Sequence, residues 1–257
     1  VHLTATTVVG AGLRDLARLV VPVRCPGCGL WDEPLCSRCA HCFDGPPQRC
    51  EDDVPRLDRD PARLRGLDPL PVWALATYQG EARGVVVAWK DRGRRDLGRP
   101  LERAARRGAR RLDDVVQAAR GTAVHVVGVP TGTAARRRRG GDLVAGLASA
   151  VVDGLVRAGA DARAAPLLRR AGGLDQVGLG ARARGRNTAG SYVLARRPAP
   201  GALHLLVDDV VTTGSTLAAC EALVSGSGGL VLGALVLAAT PSPGRRTSSV
   251  AKGGTGV

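Results

Sequence analysis

LHLLVDDVVTTGSTLAAC, residues Leu203 to Cys220, is the stretch from which the rest of the chain can be read. Leu203, Leu205, Leu206 and Val207 form a short apolar run broken only by His204, which predicts a strand buried on both faces, as in a parallel sheet. Asp208 and Asp209 stand side by side at its expected carboxyl end. Thr212, Thr213, Gly214, Ser215 and Thr216 then make a small polar loop. Leu217, Cys220, Leu223 and Val224 recur at helical spacing. The order is strand, acidic pair, hydroxyl loop, helix.

Open α/β sheets bind ligands at the carboxyl ends of their strands. A Thr/Gly/Ser loop entering a helix offers backbone N–H groups, hydroxyls and the positive end of the helix dipole to a phosphate. Gly214 is expected to let the backbone approach that phosphate closely, because it has no Cβ. The two carboxylates would repel a phosphate, so they are expected to face ribose hydroxyls, with Mg2+ close by. The plainer alternative is a surface turn capped by Asp and Thr. A Walker-type phosphate loop is excluded, since the only lysines, Lys90 and Lys252, follow no suitable glycine pattern.

VDDVVTTGST resembles the phosphoribosyl-pyrophosphate (PRPP) motif of type I phosphoribosyltransferases. The resemblance implies a site in which Asp208 and Asp209 are the catalytic acids that hold the ribose 2′ and 3′ hydroxyls. It also implies that Val210, Thr212, Thr213, Gly214, Ser215 and Thr216 surround the 5′-phosphate.

The 257 residues allow one large domain, or a medium one with an appendage. Hydrophobic residues make up 44%, enough for a core, but aromatics are only 2%, so Val, Leu and Ala must build it. No apolar run approaches the roughly 18 residues of a membrane span. Arg14 and Asp15 interrupt the apolar segment near the N-terminus, and a soluble, cytoplasmic protein is expected. A net charge of +14 points to phosphorylated ligands, nucleic acid or acidic surfaces. Arginine-heavy, alanine- and glycine-rich composition without methionine is also what a GC-rich coding sequence produces, which halves the weight of that argument.

Six of the seven cysteines fall between Cys25 and Cys50, which favours metal over disulfides in a cytosolic chain. Cys25 and Cys28 form one CxxC knuckle, Cys36 and Cys39 a second, and Gly27 and Gly29 ease the first turn. Four thiolates so spaced suit a structural Zn2+. Cys42 or Cys50 in place of one ligand, or a set of unliganded or redox-active thiols, are the alternatives.

Along the chain, Leu13, Leu16, Ala17, Leu19 and Val20 predict a short amphipathic helix ended by Pro22. Asp44 to Pro71, rich in Pro, Asp and Arg, reads as a linker or loose strap. A strand is expected from Val72 to Tyr78, a helix from Glu81 to Lys90, and one long basic helix from Asp96 to Ala119. Lys90, rare among so many arginines, is either a phosphate or leaving-group contact or an ordinary helix-end lysine. Val124 to Val129 predicts a second buried strand, followed by Pro130, Thr131 and Arg136 to Arg139, then a helix from Leu143 to Val156. Those arginines suit a diphosphate, nucleic-acid phosphates, or nothing. Leu167 to Tyr192 reads as a glycine-rich lid over a water-sensitive reaction. Strands are expected at Tyr192–Leu194 and Leu230–Ala238, and a disordered tail from Pro241.

The layout as a whole resembles the ComF family, phosphoribosyltransferase-like proteins with an N-terminal four-cysteine finger. Cys25, Cys28, Cys36 and Cys39 match its finger, and Tyr78, Gly80 and Lys90 its Y-x-G…K segment. Val127 to Pro130 with Arg139 and Gly140 resembles its V-P-V-P…R-G stretch, departing at Gly128 and at Gly141, where an aromatic is usual. Gln176, Leu179, Arg184, Asn187 and Gly190 resemble its Q-x-x-L…R-x-x-N-x-x-G segment. The resemblance implies an α/β protein with the type I phosphoribosyltransferase fold, a parallel sheet flanked by helices, with a small zinc finger. The expected division is finger 1–52, linker 53–71, transferase domain 72–240 and tail 241–257. The expected function is Mg2+-dependent transfer of ribose 5-phosphate from PRPP to a base or amine. Lys90, Pro130, Thr131, Arg139, Gln176, Arg184 and Asn187 are the pyrophosphate and lid candidates. The alternative is a non-catalytic competence protein that binds single-stranded DNA or a DNA-uptake helicase. The sequence leaves open the acceptor and whether the chain forms a homo-oligomer.

Overall fold

Asp208 and Asp209 lie inside a strand of nine residues rather than after its end. The computed structural model that shows this describes residues 23–57, 69–131, 141–171, 189–199 and 201–241. The expected helix at Leu13–Val20, Arg136–Arg139, Gln176, Leu179, Arg184, Asn187, positions 58–68 of the expected linker, and the tail beyond Pro241 lie outside the described residues.

In chain order the elements are α1 (Ser37–His41), β1 (Gln48–Arg49), β2 (Val72–Thr77), α2 (Gly80–Lys90), α3 (Gly98–Ala109), α4 (Asp113–Ala118), β3 (Val124–Gly128), α5 (Leu143–Arg157), β4 (Ala162–Ala164), β5 (Leu168–Arg170), β6 (Tyr192–Leu194), β7 (Leu203–Val211), α6 (Ser215–Ser225) and β8 (Leu230–Ala239). Six strands form one sheet in the order β1-β2-β8-β7-β3-β4. All its pairings are parallel except β1 on β2. β5 and β6 form a separate antiparallel pair. The result is a mixed α/β architecture with a mostly parallel sheet between two layers. No helix among the described residues is long and apolar enough to cross a membrane.

The pleat of β7 divides its side chains between those layers. Leu203, Leu205 and Val207 pack with α2, α3, α5 and the cysteine-rich segment. Leu206 and Val211 face the other way, toward α6, the β5–β6 pair and Val54, Leu57 and Leu70. Period-two alternation therefore runs from Leu203 to Val207 even though both faces are buried, and it breaks before the strand ends, since Val211 shares Leu203's parity but packs on Leu206's side. α5 begins where the Asp142 carboxylate accepts the N–H groups of Val144 and Ala145 at 3.2 and 3.3 Å, an N-cap that fixes its start.

Several expectations change. The long helix expected from Asp96 to Ala119 is a short 3-10 turn, then α3, then α4. Buried Leu112 leaves helical geometry to reach the core, and Asp113 and Asp114 open a new helix at its positive end. The stretch expected as a loose strap contributes β1 and buries Val54, Leu57 and Leu70. The expected lid from Leu167 begins as strand β5, with Leu167 and Leu168 in the core. β4 was not anticipated, because Ala-Arg-Ala carries no periodic signal.

α3 and α5 cross closely because Gly154 has no side chain. A Cβ there would overlap the Arg106 carbonyl oxygen and come within 2.7 Å of Ala109 Cβ. In an exposed helix Gly→Ala would stabilise by about 1 kcal/mol. Here the obstacle is backbone, so Gly154→Ala is expected to destabilise by about 1–3 kcal/mol, as overpacking does, read as a lower denaturation midpoint.

Candidate functional site

Strand β7 sends its two acids to different sides of the sheet's carboxyl edge. Asp209 continues the face that packs on α2, and its Oδ1 accepts a hydrogen bond from Lys90 Nζ at 2.8 Å. The Asp209 carboxylate is 5% exposed and the Lys90 side chain 34%. The same oxygen accepts the Val210 N–H at 2.7 Å. Asp208 continues the opposite face, and its Oδ1 accepts the Asp209 N–H at 2.8 Å. Tyr192 feels both the Asp208 charge and a hydrogen bond with Thr216.

These placements set the charge states. Burial lifts the Asp208 carboxyl well above the usual range, and the Asp209 charge lifts it further. Burial alone would lower the Lys90 ammonium, but the Asp209 carboxylate overrides it and the net shift is upward. At neutral pH the site therefore holds one tight ion pair beside a carboxyl that resists ionisation.

Both acids open into one cavity of about 380 Å³. Lys90 and Tyr78 bound it on one side, Pro130 and Thr131 at the end of β3, and Arg170 and Tyr192 from the β5–β6 pair, with Val210, Thr212 and Thr216 closing it. A recess of about 30 Å³ lies within the loop from Thr212 to Leu217, with Asp208 and Val210 at its base. The Thr213 and Ser215 hydroxyls are 3.0 Å apart, and Thr212 and Thr213 are exposed. A larger groove of about 630 Å³, bounded by Arg120, Ala158 and Asp161, lies at the opposite end of the sheet. It lies at the amino ends of the strands, away from the hydroxyl loop and the paired acids, so it is the weaker candidate.

Gly214 serves a different purpose from the one expected. Its φ of +79° is left-handed, and a Cβ would lie 2.7 Å from Val54 Cγ1 and 2.8 Å from Leu57 Cδ2. The space is filled by protein, so the glycine seats the loop on the strap rather than admitting a ligand.

The structure brings together Asp208, Asp209, Lys90, Pro130, Thr131, Val210, Thr212 and Thr216 in one cavity, with Thr213, Gly214 and Ser215 on the adjoining recess. Arg139, Gln176, Arg184 and Asn187 fall outside the described residues. Sequence reasoning did not place Arg170 or Tyr192 in the site. The guanidinium of Arg170 stands over the Tyr192 ring, 5.3 Å from its centroid, a relation between strands that no local pattern reveals.

A second cluster lies at the start of the described chain. The Sγ atoms of Cys25, Cys28, Cys36 and Cys39 all lie within 4.8 Å of one another, and this cluster could hold a metal ion. Cys36 Sγ is 3.6 Å from the sulfurs of both Cys25 and Cys28. Four thiolates at about 2.3 Å from a tetrahedral zinc are about 3.8 Å apart, so the spacing fits. Burial works against ionisation of Cys25, but N–H groups of Cys28, Cys36 and Gly27 overcome it and hold the thiol down to about 6. Cys42 and Cys50 lie outside the cluster: their thiols reach the Arg38 carbonyl at 3.8 Å and the Val72 carbonyl at 3.4 Å. The cluster also packs on α2. A Cβ on Gly27 would sit 2.6 Å from Cys39 Sγ and 3.1 Å from the Glu81 carbonyl, while one on Gly84 would overlap the Pro26 carbonyl.

No protein-family model matches the chain, and a search of curated proteins finds no match.

The state of Asp208 has a measurable consequence. Its folded carboxyl keeps a proton to higher pH than an unfolded one, which ionises near pH 4. Between those two values the folded state binds more protons, so this residue lowers stability as pH rises. Asp208→Asn removes that loss. The variant is expected to gain stability on wild type, by about 3 kcal/mol at roughly 1.4 kcal/mol per pH unit, as denaturation moves from pH 5 to pH 8. Parallel pH profiles for the two proteins would contradict this assignment.

Proposed function

We propose that the chain is a ComF-like phosphoribosyltransferase with the type I fold, binding PRPP at the carboxyl edge of β7 and β3. The observation that carries this reading is the convergence of Asp208, Asp209, Lys90 and the hydroxyl loop on one cavity. The loop and the N-terminus of α6 receive the 5′-phosphate. Asp208 and Asp209 accept the ribose hydroxyls. As PRPP binds, Lys90, a compact ammonium, exchanges Asp209 for the diphosphate, which frees that carboxylate for the sugar and leaves Lys90 on the leaving group. In the reaction a base or amine forms a bond to C1 of the ribose as the C1–O bond to pyrophosphate breaks. The bonding pair leaves with pyrophosphate, and the acceptor's proton passes to solvent. Positioning and stabilisation of the leaving group supply the acceleration.

Among the described residues only the four cysteines form a cluster able to hold a metal. Asp209 is committed to Lys90 and Asp208 resists ionisation, so this pair does not fit a resident magnesium. Mg2+ is assigned to PRPP itself, as counter-ion of its diphosphate. Structural Zn2+ is assigned to Cys25, Cys28, Cys36 and Cys39.

A second reading, single-stranded DNA binding within the uptake machinery, has one observation in its favour. Leu30 and Trp31 are about half exposed at the tip of the cysteine segment, and the Arg24 guanidinium lies 3.3 Å from the Trp31 ring centroid.

A screen of bases and amines for pyrophosphate release from PRPP tests the first reading, which expects release stimulated by one acceptor class. Absence of release with every acceptor, alongside DNA binding that weakens steeply with salt, would favour the second.

A further inference from the structure

The hydroxyl loop is short of positive charge for the ligand assigned to it. A phosphate monoester is close to a dianion, whereas the helix terminus supplies about half a charge. The Asp209 carboxylate at the base of the cavity opposes it. Lys90 is held by Asp209 on the other side of the sheet edge. Arg170 reaches the cavity from the β5–β6 pair, over the Tyr192 ring, which leaves the outer side of the loop as the place where a second cation would complete the charge.

The segment Glu51–Leu57 places one there. It is pinned at its start, where buried Glu51 accepts the Val72 N–H at 3.2 Å. It is pinned again at its end, where the Leu57 carbonyl accepts the Leu70 N–H at 3.2 Å. Between these anchors Val54 and Leu57 fill the space beside Gly214. Arg56 projects between them, exposed, and its Nη1 donates to Ser215 Oγ at 3.4 Å across 159 positions of sequence. Among the described residues Arg56 has no carboxylate partner. A long hydrogen bond to a neutral hydroxyl holds a guanidinium weakly, and a phosphate in the loop would offer it a charge-assisted, two-pronged contact instead.

We propose that Arg56 is a phosphate ligand of this site, brought to the hydroxyl loop by the strap rather than by the sheet, and selective for sugars that carry a terminal phosphate monoester. This rests on the sugar-phosphate reading of the cavity. It also gives the strap a role: the segment after the cysteine cluster completes the phosphate pocket.

The test is calorimetric titration of the full chain with ribose 5-phosphate and, separately, with pyrophosphate. Arg56→Gln is expected to weaken ribose 5-phosphate binding by about ten- to a hundredfold, the range for a lost charge-assisted hydrogen bond. Pyrophosphate binding and thermal melting should not change, since the side chain is exposed and serves the other end of the site. Arg56→Lys is expected to recover part of the loss, restoring charge without the fork. Unchanged ribose 5-phosphate affinity in Arg56→Gln overturns the inference while leaving the site reading intact. A wild-type chain that binds neither ligand overturns the site reading, and the inference falls with it.

Discussion

Asparagine at both Asp208 and Asp209 is expected to abolish PRPP binding while the chain stays folded. Each acid is assigned a hydrogen bond from a ribose hydroxyl; one to the ion-paired Asp209 contributes about 1.5–3 kcal/mol and one to the largely neutral Asp208 about 0.5–1.5 kcal/mol. Losing both corresponds to a weakening of about thirtyfold to two-thousandfold. The two positions differ in how they fail. Asp209→Asn also releases Lys90, whose ammonium is two-thirds buried at the side-chain level and then lacks its partner. Asp208→Asn removes a carboxyl that the fold already keeps from ionising, so it trades binding for stability. Inorganic phosphate, which needs the hydroxyl loop and Arg56 but not the acids, should bind the double variant at least as tightly as wild type. Titration of the double variant with PRPP and Mg2+, beside inorganic phosphate, separates these terms. PRPP affinity equal to wild type would remove the acids from the site.

Removal of metal from the cysteine cluster is expected to cost the most stability of any single perturbation. A ligand that binds only the folded state at a thousandfold above its Kd contributes about 4 kcal/mol. For a chain of this size that corresponds to a fall in Tm of about 10 °C. The loss should spread beyond the cluster. Cys25, Cys36 and Cys39 belong to the same buried core as Val85, Val86 and Trp89 of α2. Arg94, just beyond α2, donates to the Arg24 and Pro34 carbonyls at 3.2 and 2.9 Å. Chelator should therefore release one zinc per chain and lower Tm. Cys39→Ser, which replaces a fully buried thiol of the cluster, should reproduce the effect. Calorimetric melts with and without chelator, with zinc counted by a colorimetric indicator, check both. A chain that melts identically after chelation, with no zinc released, would leave the thiols as a core element only.

What the sequence made legible follows physical range. The strands β2, β3 and β8 and the helices α2 and α5 were expected within a residue or two, because each carries enough apolar residues to set its own period, whereas β7 was expected to stop at Val207 and runs on through the acids to Val211. β1 and β4 were not, since strands of two and three residues exist only through the neighbour they pair with. The break at Leu112 was hidden because no proline marks it and burial of Leu112 decided. In the site, the acids and hydroxyls were legible as one contiguous motif, and Lys90 by its rarity. The bond between Lys90 and Asp209 spans 119 positions, and Arg56 meets Ser215 across 159. Those meetings depend on the docking of α2 and the strap. Gly214 shows the reverse: its identity was read as room for a ligand, whereas Val54 and Leu57 occupy that room.

The central claim is that the hydroxyl loop after β7 takes the 5′-phosphate of a ribosyl diphosphate. Phosphorus NMR of PRPP titrated with the protein and Mg2+ tests this most directly, because the monoester and the two diphosphate phosphorus atoms give separate signals. The expected result is a saturable shift of the monoester signal that disappears when Thr213 and Ser215 are both replaced by alanine, while inorganic pyrophosphate still binds. A monoester signal that stays at its free position at saturating protein would contradict the claim.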